Sequence, residues 1–419
     1  NMIVEHYSVD QGLPNNTVNC TLKDRDGFIW FGTWYGLCCF DGVKFKTFNK
    51  QEHDSDVPPR KIQRIVEDKN GYIWVKTIDR KLYVFNKVTE CFHAVYDDMK
   101  NYSENIQVIK LQNTAEGDVL LLTKDKNLLL AGVDEKGQVT IKILFDSRNE
   151  INKHDYTLKH HVLCETEEYI SWIGTDYKVA AVHKGSELAS RPADFITSKI
   201  NSGDKDSFTS FFEDGRKVWV GDRAGIFYSI DVRTGLVNRY VLSEIKGAIS
   251  NLLVTPAGYV YLSVAGQGTY EYDLAERRLQ KINTEMNDAM VTHAFIDQYD
   301  KIWFHENEKA LIYYDPLNHT AKRFPFTMFG KITTLYSEDA GERGLFFLSP
   351  AGEAWLFDRE HAEMVYINKL KQLSNDRTNQ QFYHLMLDND GVLWLSSADE
   401  GVYCMNFPKK QFNLLSLSP

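Results

Sequence analysis

The sequence predicts an all-β fold, a β-propeller of four-stranded antiparallel blades, and three observations predict it. Segments rich in β-branched and aromatic residues, split by Gly, Asn and Asp turns, recur along the whole 419 residues. They recur with a period in the forties: Gly27 to Gly71 is 44 residues, Gly71 to Gly117 is 46, and Gly215 to Gly258 is 43. The second strand of each period is apolar on both faces and usually carries an aromatic marker, as in Tyr72-Ile73-Trp74-Val75. A half-exposed strand alternates apolar and polar residues, so a continuously apolar one must be covered on both sides. One small sheet cannot do this alone. Sheets set radially cover each other's faces.

The elements follow in order. Ile3 to Val9 is an extended segment with no partner nearby in sequence. Gly12-Leu13-Pro14-Asn15-Asn16 turns the chain, and Val18 to Asp24 alternates as a strand. Asp26-Gly27 is a hairpin signal. It leads into Phe28-Ile29-Trp30-Phe31, expected to be buried on both faces, and Gly32 and Gly36 bracket a loop presenting Thr33, Trp34 and Tyr35. Lys44 to Phe48 completes the unit. Eight more units follow, with second strands beginning near Gly71, Gly117, Ile170, Lys217, Gly258, Lys301, Gly344 and Gly391. Nine repeats are counted. Ile3 to Val9 is expected to complete the last blade and close the ring, which removes exposed sheet edges. The tail Phe412-Asn413-Leu414-Leu415 competes for that place. No Gly/Ser, Pro-rich or charged run interrupts the period, so residues 1–419 read as one propeller domain. Helical periodicity is weak, and Leu274 to Asn287, the one candidate, reads better as an outer strand and loop.

Composition narrows the function. The net charge of −10 disfavours a nucleic-acid partner, which wants a basic face. No apolar run approaches the roughly 18 residues of a membrane helix. The start, Asn1-Met2-Ile3, has no basic-then-apolar leader, which fits a cytosolic protein, a mature exported one or a trimmed chain. The six cysteines show no metal-ligand spacing. Buried free thiols are expected, with Cys20 and Cys38, expected on neighbouring strands of one sheet, the pair to check for a disulfide.

Asp26-Gly27-Phe28-Ile29-Trp30-Phe31-Gly32-Thr33-Trp34-Tyr35-Gly36-Leu37, ending in Phe40-Asp41-Gly42, resembles the two-component regulator propeller repeat. The lead-in Tyr7 to Asn16 and the exit Gly401-Val402-Tyr403 through Phe407-Pro408-Lys409-Lys410-Gln411-Phe412 resemble the start and end of that family's first propeller. Units three, six and eight lack the Trp of the second strand. The family's propellers are usually seven-bladed, so seven to nine blades are expected here. The resemblance implies the periplasmic sensor region of a Bacteroides-type hybrid two-component histidine kinase, detecting an oligosaccharide and switching on glycan-utilisation genes. It implies as partners the further propeller, connector and kinase domains of a longer parent chain, with a homodimer left open.

Asp24-Arg25-Asp26-Gly27 and Asp388-Asn389-Asp390-Gly391 start like calcium loops, but Phe28 and Val392 follow where oxygen ligands would be needed. Both read as hairpin turns, and no metal or cofactor is expected. The series Trp30, Trp74, Trp172, Trp219, Trp303 and Trp394 lies mid-strand and reads as wedges between blades. Loops joining second to third strands share one propeller face with the blade-to-blade connections, around the channel mouth. There lie Trp34, Tyr35, Arg60, Asp79, Arg80, Tyr177, Asp222, Arg223, Glu306 and Asp399, the candidate ligand-binding set. Aromatic rings there can stack on pyranoses, and charged groups can hold hydroxyls or uronates. Each alone also reads as a solvated loop residue. Neither GxSxG, a P-loop nor a dinucleotide fingerprint occurs. Paired carboxylates such as Glu306-Glu308 leave a polysaccharide hydrolase or lyase as the alternative, and a protein-interaction scaffold as a third. The expected function is a non-catalytic sensor module.

Overall fold

The structure, a computed structural model, describes residues 3–49, 58–102, 106–148, 158–174, 178–185, 195–199, 208–282, 291–306, 309–329, 336–339, 344–349, 353–369 and 382–406. Every described strand belongs to one of nine four-stranded antiparallel sheets, the blades of the β-propeller. The chain forms two compact units: Asn1–Glu67, Gly71–Val95 and Thr334–Pro419 in one, Asp68–Asn70 and Tyr96–Thr333 in the other. The sheets are numbered here in chain order.

The first unit holds four sheets. Sheet 1 is Val18–Lys23, Ile29–Thr33, Gly36–Phe40 and Phe45–Phe48, and sheet 2 is Ile62–Glu67, Ile73–Thr77, Leu82–Asn86 and Cys91–Ala94. Sheet 8 is Tyr336–Asp339, Leu345–Leu348, Glu353–Asp358 and Glu363–Lys369, and sheet 9 is Phe382–Leu387, Val392–Ser397, Val402–Asn406 and, as its fourth strand, Ile3–Tyr7. The N-terminal strand thus completes the last sheet in the register Ile3↔Asn406 to Tyr7↔Val402, as expected. It stops at Tyr7, because Ser8 caps a short 3-10 turn over Val9–Gln11. The competing tail lies outside the described residues.

The second unit holds sheets 3 to 7. These are Val108–Asn113, Val119–Thr123, Leu128–Val133, Val139–Phe145; Leu158–Glu165, Tyr169–Gly174, Lys178–His183, Phe195–Lys199; Phe208–Glu213, Lys217–Asp222, Phe227–Asp231, Val237–Tyr240; Ile249–Val254, Tyr259–Val264, Gly268–Asp273, Arg278–Lys281; and Val291–Ile296, Ile302–Glu306, Ala310–Asp315, Thr320–Pro325. The α-helix Tyr96–Met99 is a single turn. No described helix is long and apolar enough to cross a membrane.

The two-sided apolar strand has the predicted cause. Side chains alternate between faces, so Ile29 and Phe31 pack with Val402, Cys404 and Trp394 of sheet 9. Trp30, between them, packs with Ile62, Ile73, Val75 and Phe85 of sheet 2. Trp219 likewise enters the core shared with sheet 6, and Trp172 that shared with sheet 3. Phe28 departs from expectation: it is 42% exposed and belongs to the turn, the strand starting at Ile29.

Seven first strands carry a bulge at their second residue. The bulged residues are Asn19, Gln63 and Tyr383 in the first unit, and Ile109, Thr209, Ser250 and Thr292 in the second. A bulge re-aims the side chain it carries. Asn19 Nδ2 donates to the Ile62 carbonyl of the next sheet at 2.6 Å, and Thr209 Oγ1 to that of Ile249, also at 2.6 Å. Glycine permits this approach. A Cβ on Gly32 would lie 2.4 Å from Cys20 Sγ and 2.6 Å from Ile62 Cγ2, and one on Gly221 would lie 2.4 Å from Ser210 Oγ and 2.8 Å from Ile249 Cγ2.

All six thiols are free. Cys20 and Cys38 are not on neighbouring strands, because Ile29–Thr33 runs between them. Burial, opposed weakly by Arg64, pushes the Cys20 thiol up to about 12.

Candidate functional site

At one end of the sheets, the loop between second and third strands meets the connection that leads into the same sheet. The meeting is a backbone hydrogen bond at constant spacing: Trp34 N to Thr17 O, Ile78 N to Lys61 O, Lys124 N to Gln107 O, and Ala265 N to Ala248 O, each pair 17 residues apart. In the first unit the ladder continues across sheets, since Lys61 N donates to Trp34 O and Gly401 N to Asn16 O. A Thr or Ser side chain folds each loop back. Thr33 Oγ1 accepts from Tyr35 N, Thr77 Oγ1 from Lys81 N, and Ser397 Oγ from Glu400 N.

This scaffold presents Trp34 and Tyr35, which are 41% and 56% exposed. The next connection lays a cation over each. Lys61 Nζ is 5.3 Å from the Trp34 ring centre, and the Arg60 guanidinium carbon is 5.9 Å from that of Tyr35. Such placement is attractive through the ring quadrupole. Asp79 and Arg80 occupy the adjoining loop, with Arg80 in the left-handed region at φ 67°. Burial disfavours the Asp79 charge, but Thr77 and Lys81 outweigh it and lower the pKa. Beneath them Lys76 is 5% exposed. Its ammonium donates to Gln63 Oε1 and has no carboxylate partner among the described residues. Burial, then the charge of Arg80, lowers its pKa. Trp34, Tyr35, Arg60, Asp79 and Arg80 thus lie on adjoining loops, joined by the Lys61–Trp34 and Ile78–Lys61 backbone hydrogen bonds, a strip in which Arg60, Lys61 and Arg80 outnumber the one carboxylate. Asp399 is exposed on the matching loop of sheet 9.

The remaining candidates lie in the second unit. Arg223 is exposed on the second-to-third-strand loop of sheet 5. Asp222 is buried, and its carboxylate is occupied by Ala224 N and Ile226 N of its own turn. Glu306 is buried and accepts from the Arg323 guanidinium at 3.0 and 3.2 Å. Tyr177 lies outside the described residues.

The opposite end was legible only in part. Asp24 Oδ1 accepts Asp26 N and Phe28 N, while Oδ2 accepts Trp30 Nε1 at 2.7 Å. The same clamp joins Asp214 to Trp219, Asp297 to Trp303 and Asp388 to Trp394. The apparent calcium loops are thus turns whose aspartate fixes the wedge tryptophan. Asp24, Asp26 and Glu67 do approach one another closely enough to hold an ion. Lys87 Nζ fills that place, 3.1, 2.7 and 2.8 Å from them in that order. Burial works against its charge, but Asp26, Glu67 and Asp24 together raise the pKa. Lys184 bridges Glu116 and Glu165 between sheets 3 and 4, and Lys23 bridges Asp388 and Asp390 between sheets 9 and 1. Between sheets 6 and 7 this end opens instead into a cleft of about 620 Å³, which the sequence reading missed.

Residues 12–35 match the two component regulator propeller family. A histidine kinase, P4, of Formosa agariphila is 33% identical over 84 residues, which is 18% of this chain and 6% of that protein. Among solved structures, the extracellular domain of a one component system from B. thetaiotaomicron aligns over 95% of this chain and 66% of its own, at 13% identity and TM-score 0.36. That of a hybrid two component system from the same organism aligns over 99% and 61%, at 14% identity and TM-score 0.37. This chain spans less than two thirds of the length of each of these relatives. Residues 12–35 cover the turn, strands and loop of sheet 1 that present Trp34 and Tyr35, so the match to the two component regulator propeller repeat falls on the sheet that carries the exposed aromatic pair.

Proposed function

We propose that the chain is the periplasmic ligand-sensing module of a hybrid two-component sensor kinase, non-catalytic itself, and that it binds an oligosaccharide on the strip around Trp34. The observation that carries this reading is the coincidence of the family repeat with the exposed aromatic pair and its two cations. A small similar segment in a protein named as a histidine kinase supports a kinase as the output. The ring faces of Trp34 and Tyr35 suit the apolar faces of pyranoses. Arg60, Lys61 and Arg80 suit hydroxyls or uronates, where bidentate guanidinium contacts add direction. The nine sheets would work as one propeller. Binding signals only if the sugar prefers one packing or dimer arrangement over another, and control of glycan-utilisation genes is the expected output.

A thermal-shift screen against defined glycans tests the reading. Selected sugars should raise the melting temperature and be recovered unshortened. Shortened sugar would point to a hydrolase or lyase, and stabilisation by every sugar alike, or by none, would overturn the sensor reading. Trp34→Ala and Arg80→Ala should each weaken binding about tenfold or more, roughly the 1–3 kcal/mol of a lost stacking or charged contact, with little change in stability. Unchanged affinity in both would remove the site from this strip.

A further inference from the structure

Sheet 6 breaks the pattern its neighbours share. Where other sheets have the Asp–Trp clamp, it has Thr255 and Tyr261, and Thr255 Oγ1 accepts only Tyr259 N of its own turn. Freed of an aspartate, the Tyr261 hydroxyl donates instead to Glu271 Oε2 at 2.7 Å. Glu271 stands opposite Tyr261 on the third strand. The same place is taken elsewhere by Cys39, Val84, Leu130, Ala180, Ser229, Tyr313, Leu356 and Cys404. Sheet 6 alone puts a charge there.

That carboxylate is 7% exposed and has no cation among the described residues. Three other sheet junctions at this end contrast with it, since Lys23, Lys87 and Lys184 each sit between carboxylates there. The junction of sheets 6 and 7 holds the 620 Å³ cleft, with Glu271 in its wall beside Tyr259, Tyr261, Tyr299, Arg278 and His319. Lys301, also in the wall, is already paired with Asp315 at 2.7 Å. The volume is in the range of small-molecule sites, which combine apolar and aromatic walls with a few polar groups. A buried carboxylate bonded to neutral phenols, here Tyr261 and Tyr314, but to no cation is incompletely compensated. A cation among tyrosine faces supplies both the missing charge and a ring-quadrupole contact.

We propose that this cleft is a binding site for a small organic cation, whose ammonium group sits on Glu271 and whose carbon frame lies against Tyr259 and Tyr299. Burial, then the hydrogen bond to Glu271, raises the Tyr261 pKa, and Tyr314 also hydrogen-bonds Glu271, so both phenols stay neutral donors and the ammonium supplies the charge that they lack. The site is independent of the rim strip and of the sensor reading.

The test uses the whole chain and a matched pair of probes, cyclohexylamine and cyclohexanol, which share a ring and differ in charge. Titration followed by calorimetry or NMR should show millimolar binding of the amine, at least about tenfold tighter than the alcohol (1.4 kcal/mol). Glu271→Gln keeps an acceptor for Tyr261 and should abolish the preference. It should leave the melting temperature unchanged or raised. If that variant does not fold, Tyr299→Ala, at an exposed part of the wall, should weaken amine binding severalfold. Equal binding of amine and alcohol, binding of neither, or an amine preference that survives both substitutions would overturn the proposal.

Discussion

His384 lies on the first strand of sheet 9 with Nδ1 buried and without a hydrogen-bond partner among the described residues. Burial, and then the charge of Arg64, pushes its pKa down to about 4, against about 6.5 in an unfolded chain. Between those values the unfolded chain binds more protons than the folded one. The stability contributed by neutral His384 is therefore complete above about pH 6.5 and is lost as the pH falls toward 4, by roughly 3 kcal/mol at most. Urea titrations at pH 7 and pH 4.5 should show His384→Gln losing less stability between the two than the parent; equal losses would remove His384 from the acid response. The residue scale also marks the limit of sequence reading. The wedge role of Trp30 and its copies was legible, because a Trp in the middle of an all-apolar strand has only a neighbouring sheet to enter. The Asp24–Trp30 bond was not, because it needs the hairpin to fold the chain back over six residues. Glu271 was hidden for a related reason. In an alternating strand, Gly268-Thr269-Tyr270-Glu271-Tyr272 reads as having one wet face, and only the packed neighbour shows that face to be dry.

At the scale of the element, second strands were the most legible part of the chain and first strands the least. A second strand is buried on both sides, so its whole sequence is constrained. A first strand is covered unevenly, and its bulge leaves no consistent residue type: Asn19, Gln63, Ile109, Thr209, Ser250, Thr292 and Tyr383 share a position and little else. The turns at the Asp–Trp end are coupled across sheets by lysine, most fully at Lys87. Removing that ammonium leaves Asp24, Asp26 and Glu67 facing one another, with Asp24 wholly buried. Lys87→Met should cost about 2–4 kcal/mol, below the upper end for a fully buried pair because Asp26 remains wet. The loss should shrink as the pH is lowered and the three carboxylates take up protons. Denaturant titration measures it, and a loss below about 0.5 kcal/mol, the level of a surface pair, would show the cluster to be decorative.

The joining of the two chain ends is a property of the whole molecule, and it was legible by counting. Four strands per period left Ile3 to Val9 without a sheet and the last period without its fourth strand. Which terminal segment fills the gap is decided by packing. Tyr7 enters the core between sheets 9 and 1, its ring 5.0 Å from Phe40 and 6.5 Å from Trp394, and His6 stacks on Tyr403 at 4.5 Å. Burial, then the hydrogen bond to Glu5, raises the Tyr7 pKa, so the phenol stays neutral in that core. Deleting residues 1–7 would strip five paired positions from Val402–Asn406 and bare the edge of a sheet whose next neighbours are the cores of sheets 8 and 1. An open edge of this kind pairs with other chains. The truncated protein should therefore melt at a lower temperature and associate in a concentration-dependent way on size-exclusion chromatography. A synthetic peptide of residues 1–9 added in trans should reverse both effects, since it restores the same ladder without covalent linkage. A truncated chain that stays monomeric with an unchanged melting temperature would mean that the closing strand contributes nothing to holding the first and last sheets together.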